Sequence, residues 1–139
     1  MNKQLNQVKQ FQTAFGQEIN NKPTLVNSTL YNLRFELMKE ENEEYLAAVI
    51  NNDLVEVADA LGDMLYILCG TILTHGFQHK IEEVFDEIQR SNMSKLDENG
   101  KPIINGKNGF FDPKKAFGKV LKSSKFSEPN LIKILDESI

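Results

Sequence analysis

Apolar residues recur along most of the chain at the three- and four-residue intervals of amphipathic helices. Leu5, Val8, Phe11 and Phe15 share one face of a first helix, which Gly16 ends. Residues 17–26, with Pro23, read as a loop. Asn27 or Ser28 caps a second helix that runs to about Ile50 and carries Leu30, Leu33, Leu37, Tyr45 and Ala48 inward. Asp53 caps a third, from Leu54 to about His75, with Leu54, Val57, Ala58, Leu61, Leu65, Leu68 and Ile72 as its stripe and Gly76 as its stop. A fourth, from about His79 to Asn92, turns Ile81, Val84, Phe85 and Ile88 inward. After Ser94 the periodicity fades. Asn99-Gly100 and Asn105-Gly106 are turn signals, so 95–126 reads as an irregular arm with a small hairpin, and Leu131, Ile134 and Leu135 form a last helical turn.

These elements predict an all-α fold: a four-helix bundle over residues 3–93, followed by an irregular Lys-rich arm over 94–139, in one domain spanning 1–139. The length of 139 residues, with 40% hydrophobic and 26% charged, suits a globular domain with its own core. A single cysteine, Cys69, excludes an internal disulfide framework and a Cys-rich zinc site; on the apolar stripe it reads as an inert buried thiol. With no basic-plus-apolar opening segment, a cytoplasmic location is the expectation. The longest apolar stretch, Leu54 to Leu73, holds Glu56, Asp59 and Asp63, which argues against a membrane span.

The net charge of −4 is unevenly spread. Residues 1–93 hold seven Lys or Arg and fourteen Asp or Glu; residues 94–139 hold nine and six. The acids are also ordered. On the second helix Glu40 and Glu44 continue the row of Leu33 and Leu37, and Glu41 and Glu44 continue the row of Leu37 and Ala48. On the third, Glu56, Asp59 and Asp63 recur at one-turn intervals. A short connection makes these helices antiparallel neighbours, so the two acidic faces meet. Like charges one turn apart cost about 0.2–0.5 kcal/mol per pair, and desolvating an unpaired carboxylate costs more. A bound divalent cation reverses both penalties, and an all-carboxylate set suits hard Mg²⁺, or Mn²⁺. A di-iron centre would call for Glu-x-x-His, which neither His75 nor His79 completes.

With Glu40-Glu41-x-x-Glu44 followed by Glu56-x-x-Asp59, the chain resembles the all-α nucleoside triphosphate pyrophosphohydrolases, a superfamily that includes MazG-type enzymes, dimeric dUTPases and phosphoribosyl-ATP pyrophosphohydrolases. Phe11-x-x-Ala-Phe-Gly16, the stretch Glu56 to Tyr66, and Arg90-Ser-Asn-Met-Ser-Lys95 followed by Asn99-Gly-Lys-Pro102 are similar to a MazG-like subgroup. In some relatives the second motif lies one turn later. Its Asp would then be Asp63, but its Glu would fall on Ala60, so Glu56 and Asp59 form the complete pair in this chain.

The resemblance implies a homodimer or dimer of dimers and a Mg²⁺-dependent site that cleaves a nucleoside triphosphate between its α and β phosphates. Glu41, Glu44, Glu56 and Asp59 would hold the metal, with Asp63 as a further ligand. Glu40 or Glu41 would take the proton of the attacking water. Arg90, Asn92 and Lys95, after the fourth helix, would contact the phosphates or sugar. A house-cleaning or dUTP-directed enzyme is the leading expectation. Phosphoribosyl-ATP hydrolysis and a non-catalytic helical adaptor that dimerises through the second and third helices are the alternatives. No P-loop and no Gly-x-Ser-x-Gly elbow is present. Beside an acidic body, the Lys-rich arm alone does not predict a nucleic-acid partner.

Overall fold

The computed structural model describes residues 1–136. The fold is all-α, with four substantial helices: α1 (Asn2–Ala14), α2 (Ser28–Ile50), α3 (Leu54–Thr74) and α4 (Ile81–Met93). Beyond them, among the described residues, lie only the two-residue strands β1 (Ile103–Ile104) and β2 (Val120–Leu121) and the short helix α5 (Leu131–Leu135). Two compact units divide the described residues, Met1–Ile81 and residues 82–136, so α4 groups with the residues that follow it.

In the first unit the helix ends are set by local chemistry. The Asn27 side chain accepts from Leu30 N at 3.0 Å to open α2. The Asp53 carboxylate accepts from Val55 N and Glu56 N, both at 3.1 Å, to open α3. Gly76, at φ +75°, closes α3 in the left-handed region and lies so close to Lys22 O that a Cβ would collide with it. The loop after α1 then ties down this helix end: Asn20 N donates to Leu73 O, Thr24 N to His75 O, and Asn20 Nδ2 to Thr74 O at 2.7 Å.

Both α1 and α2 pack on α3. The buried core is Leu5 and Val8 of α1 against Cys69, Ile72 and Leu73 of α3, flanked by Ile19, Phe77 and Ile81. Cys69 is fully buried, as its sequence position suggested, and burial pushes its thiol pKa up. The stripe read as inward on α3 is largely open instead. Leu54 is 81% exposed, and Leu61, Leu65 and Leu68 are each roughly half exposed. Leu33 and Tyr45 of α2 and Phe11 and Phe15 of α1 are also exposed. One small three-helix unit lacks the surface to cover two long apolar helices on every side. By length and composition α3 is apolar enough to cross a membrane, but Glu56, Asp59 and Asp63 lie within it, and α1 and α2 pack against it as against a core helix.

Polar groups complete the packing between helices. Arg34 of α2, only 6% exposed, donates through Nε to Thr71 Oγ1 at 3.1 Å and through Nη2 to Ile67 O at 2.8 Å, both on α3. Buried Gln12 of α1 donates to Glu18 O.

In the second unit, β1 and β2 pair antiparallel with Ile103 opposite Leu121 and Ile104 opposite Val120. Fully buried Asn105 organises the loop between them. Its Nδ2 lies within hydrogen-bonding distance of the carbonyls of Asp112, Lys115 and Ala116, and its Oδ1 accepts from Asp112 N at 2.7 Å. On α4, Phe85 faces solvent rather than a core.

Candidate active site

The acids of α2 and α3 come together around Glu41. Glu41 is half-buried, and its Oε2 is shielded from solvent with no hydrogen-bond partner. Desolvation raises its pKa above the ordinary carboxylate range. The charges of Glu44, Asp63 and Glu40 push the same way. Thus Glu40, Glu41, Glu44 and Asp63 form one electrostatic group drawn from two helices.

Glu56 reaches the group from another side. It lines, with Glu44, Ala48 and Asp53, a small depression of about 280 Å³ where α2 passes into α3. Asp59 lies on α3 between Glu56 and Asp63, one turn from each, and is exposed. Among the described residues no three acidic, His or Cys side chains converge closely enough to form a finished metal cage. Glu40, Glu44, Glu56, Asp59 and Asp63 are exposed carboxylates, and like charges hold each other apart. In donor type and charge the group still fits a hard divalent cation. It is all oxygen, it is strongly negative, and it contains one buried oxygen without a partner.

Beside the acids lies a cavity of about 330 Å³ between α1, α2 and α3, bordered by Phe11, Gln12, Arg34, Leu37 and Tyr66. Leu37 is one turn from Glu41, and Tyr66 is one turn from Asp63. Phe11 meets Tyr66 edge to face, ring centroids 5.5 Å apart, and leans on Phe15 at 4.4 Å. The cavity is mostly apolar, with polar groups at its margin, a suitable lining for a flat ring.

Arg90, Asn92 and Lys95 belong to the second unit. Arg90 grips Glu87 through Nε and Nη2 at 2.9 and 2.8 Å and donates to Glu128 O at 2.9 Å. Asn130 N also donates to Glu87. The side-chain bond from Arg90, then the backbone bond from Asn130, pull the Glu87 pKa down to about 2. Arg90 therefore clamps α4 to the segment leading into α5. Asn92 is exposed and Lys95 half-buried just beyond it.

Sequence reasoning passed over Arg34. The available signal was an arginine in the row of Leu30, Leu37 and Glu41, a row otherwise directed toward α3.

A family model described as phosphoribosyl-ATP pyrophosphohydrolase matches residues 8–92, from within α1 to the last turn of α4. It therefore spans Glu40, Glu41, Glu44, Glu56, Asp59 and Asp63. No curated protein matches the chain.

Proposed function

Since the chain belongs to the phosphoribosyl-ATP pyrophosphohydrolase family, and so among enzymes that split a pyrophosphate linkage of a nucleotide-like substrate, we propose that it hydrolyses a nucleoside or deoxynucleoside triphosphate between the α and β phosphates, releasing the monophosphate and pyrophosphate. The observation that carries this reading is the meeting of Glu41, Glu44 and Asp63 from two helices around a buried, unpartnered carboxylate oxygen. Such a group is costly unless a cation joins it.

Glu41, Glu44, Glu56 and Asp59 would hold Mg²⁺ or Mn²⁺, with Asp63 as a further ligand. When bound, the metal neutralises phosphate charge and makes a coordinated water more acidic. Glu40 and Glu41 are the candidates to accept that water's proton. Burial and like charges raise the pKa of Glu41, which favours it. The cavity beside Phe11 and Tyr66 would take the base. Asn92 and Lys95 would meet the phosphates or sugar. Arg90 would do so through Nη1, its Nε and Nη2 being held by Glu87 and Glu128.

A second copy of the chain is the proposed cover for the open apolar faces of α2 and α3, giving a homodimer or a dimer of dimers. Leu46, Val49, Leu61, Leu65 and Leu68 all stand exposed on this helix pair. The family description itself favours one other substrate, phosphoribosyl-ATP.

The deciding experiment is a substrate panel containing the canonical NTPs and dNTPs, dUTP and phosphoribosyl-ATP, each with Mg²⁺ and with EDTA. The proposal expects metal-dependent monophosphate and pyrophosphate. Release of nucleoside diphosphate and phosphate would overturn the assigned bond, and turnover of phosphoribosyl-ATP alone would select the other substrate.

A further inference from the structure

Arg34 is a buried cation that no carboxylate pairs with among the described residues. Its guanidinium spends one N–H on the Thr71 hydroxyl and another on the Ile67 carbonyl, and burial lowers its pKa. The Thr71 hydroxyl in turn donates to the same Ile67 carbonyl at 2.9 Å, so the three groups form a closed triangle. Gly70 makes the approach possible. A Cβ there would collide with Arg34 Nη2 and with Gln12 Oε1. A rigid fork from α2 thus lands on two atoms of α3, one of them backbone, through a gap left by a glycine. A planar fork held at two points resists both sliding and rolling of one helix on the other, which a single point charge does not.

That clamp lies in line with the acids. Arg34 and Glu41 are seven residues apart, two turns along one side of α2. Ile67 and Asp63 are four residues apart, one turn along α3 in the opposite sense. Any slide of α2 at Arg34 is therefore transmitted directly to the gap between Glu41 and Asp63.

We propose that Arg34 is a positioning residue. Through Ile67 and Thr71 it fixes the register of α2 on α3, and with it the spacing of Glu41 against Asp63. The register itself stands on the geometry of the clamp; its consequence for metal affinity and turnover rests on the function proposed above.

The test uses the full chain and three substitutions: Arg34→Met, which removes the fork; Thr71→Val, which removes only one landing point and guards against failure of the first to fold; and Thr71→Ser, which restores the hydroxyl. Leu5→Ala, in the core and outside the cavity that Arg34 borders, controls for lost stability. Register is read without metal, as the electron-spin distance between labels attached through Glu36→Cys and Val55→Cys, both exposed sites. Metal affinity is read by titration with Mn²⁺ alone.

Arg34→Met and Thr71→Val should shift or broaden the label distance and weaken Mn²⁺ binding, on the order of tenfold for the arginine. Thr71→Ser and Leu5→Ala should leave both unchanged. Lower melting temperatures with an unchanged distance would overturn the proposal and leave Arg34 a stability residue only. A shifted distance in a protein whose wild type binds no Mn²⁺ would uphold the register and instead sink the metal reading.

Discussion

Behind burial and the charge of Glu44, Asp63 on α3 raises the pKa of Glu41 on α2 across the helix pair, so two helices share one excess of negative charge. Replacing either acid by its amide should stabilise the metal-free protein, by about 0.2–0.5 kcal/mol. Thermal melts with and without Mg²⁺ check this. The wild type should gain stability on adding Mg²⁺, whereas Glu41→Gln should gain little and lose turnover. Equal Mg²⁺-induced shifts in both proteins would favour the helical adaptor over the enzyme.

The two perturbed carboxyls respond to pH in opposite directions. Glu87 is pulled from 4.5 to about 2 in the folded chain, so the stability it contributes is present above 4.5 and lost as the pH falls toward 2. Glu41 is raised above 4.5, so its contribution is present below that value and lost as the pH rises through the folded pKa. An acid titration of Glu87→Gln should therefore lose part of the decline that the wild type shows below pH 4.5. Hydrogen exchange at residues 127–131, the segment held by Arg90 and Glu87, locates that part.

Gly76→Ala should destabilise the first unit. The new methyl group meets the Lys22 carbonyl, a backbone atom with little freedom to retreat, and the residue must also hold φ +75°. A loss of about 1–3 kcal/mol is expected from the strained backbone, read by urea denaturation.

Asn105→Ala removes the side chain that holds the carbonyls of Asp112, Lys115 and Ala116 and leaves Asp112 N without its acceptor. The cost is about 1–3 kcal/mol. Proteolysis should become faster within 105–119 while the far-ultraviolet helical signal of α1 to α3 is kept.

If a second copy covers α2 and α3, then Leu65→Lys, on the open stripe, should shift the protein toward the monomer in light scattering without lowering its helix content. An unchanged mass would place the interface elsewhere.

The helices were legible because their ends are written in short-range chemistry. Asn27, Asp53 and Gly76 act on atoms within a turn of themselves. The acidic rows were legible for the same reason, since one period fixes which side chains share a face. Which faces become buried was not. Leu61, Leu65 and Leu68 share a stripe as expected, but whether anything covers it depends on surface beyond the helix itself. Arg34 was missed because its partner Thr71 lies 37 positions away. Arg90 is the reverse case: its partner Glu87 stands only three positions back, a pairing that helix periodicity makes legible.

The loop after α1 does more than join two helices. By capping Leu73, Thr74 and His75, it makes departure of α1 cost the last carbonyls of α3 their partners as well. α1 and the C-terminal turn of α3 should therefore open and close as one cooperative unit. The wall of the cavity that carries Phe11 should therefore loosen together with the end of α3 rather than by fraying of one helix alone.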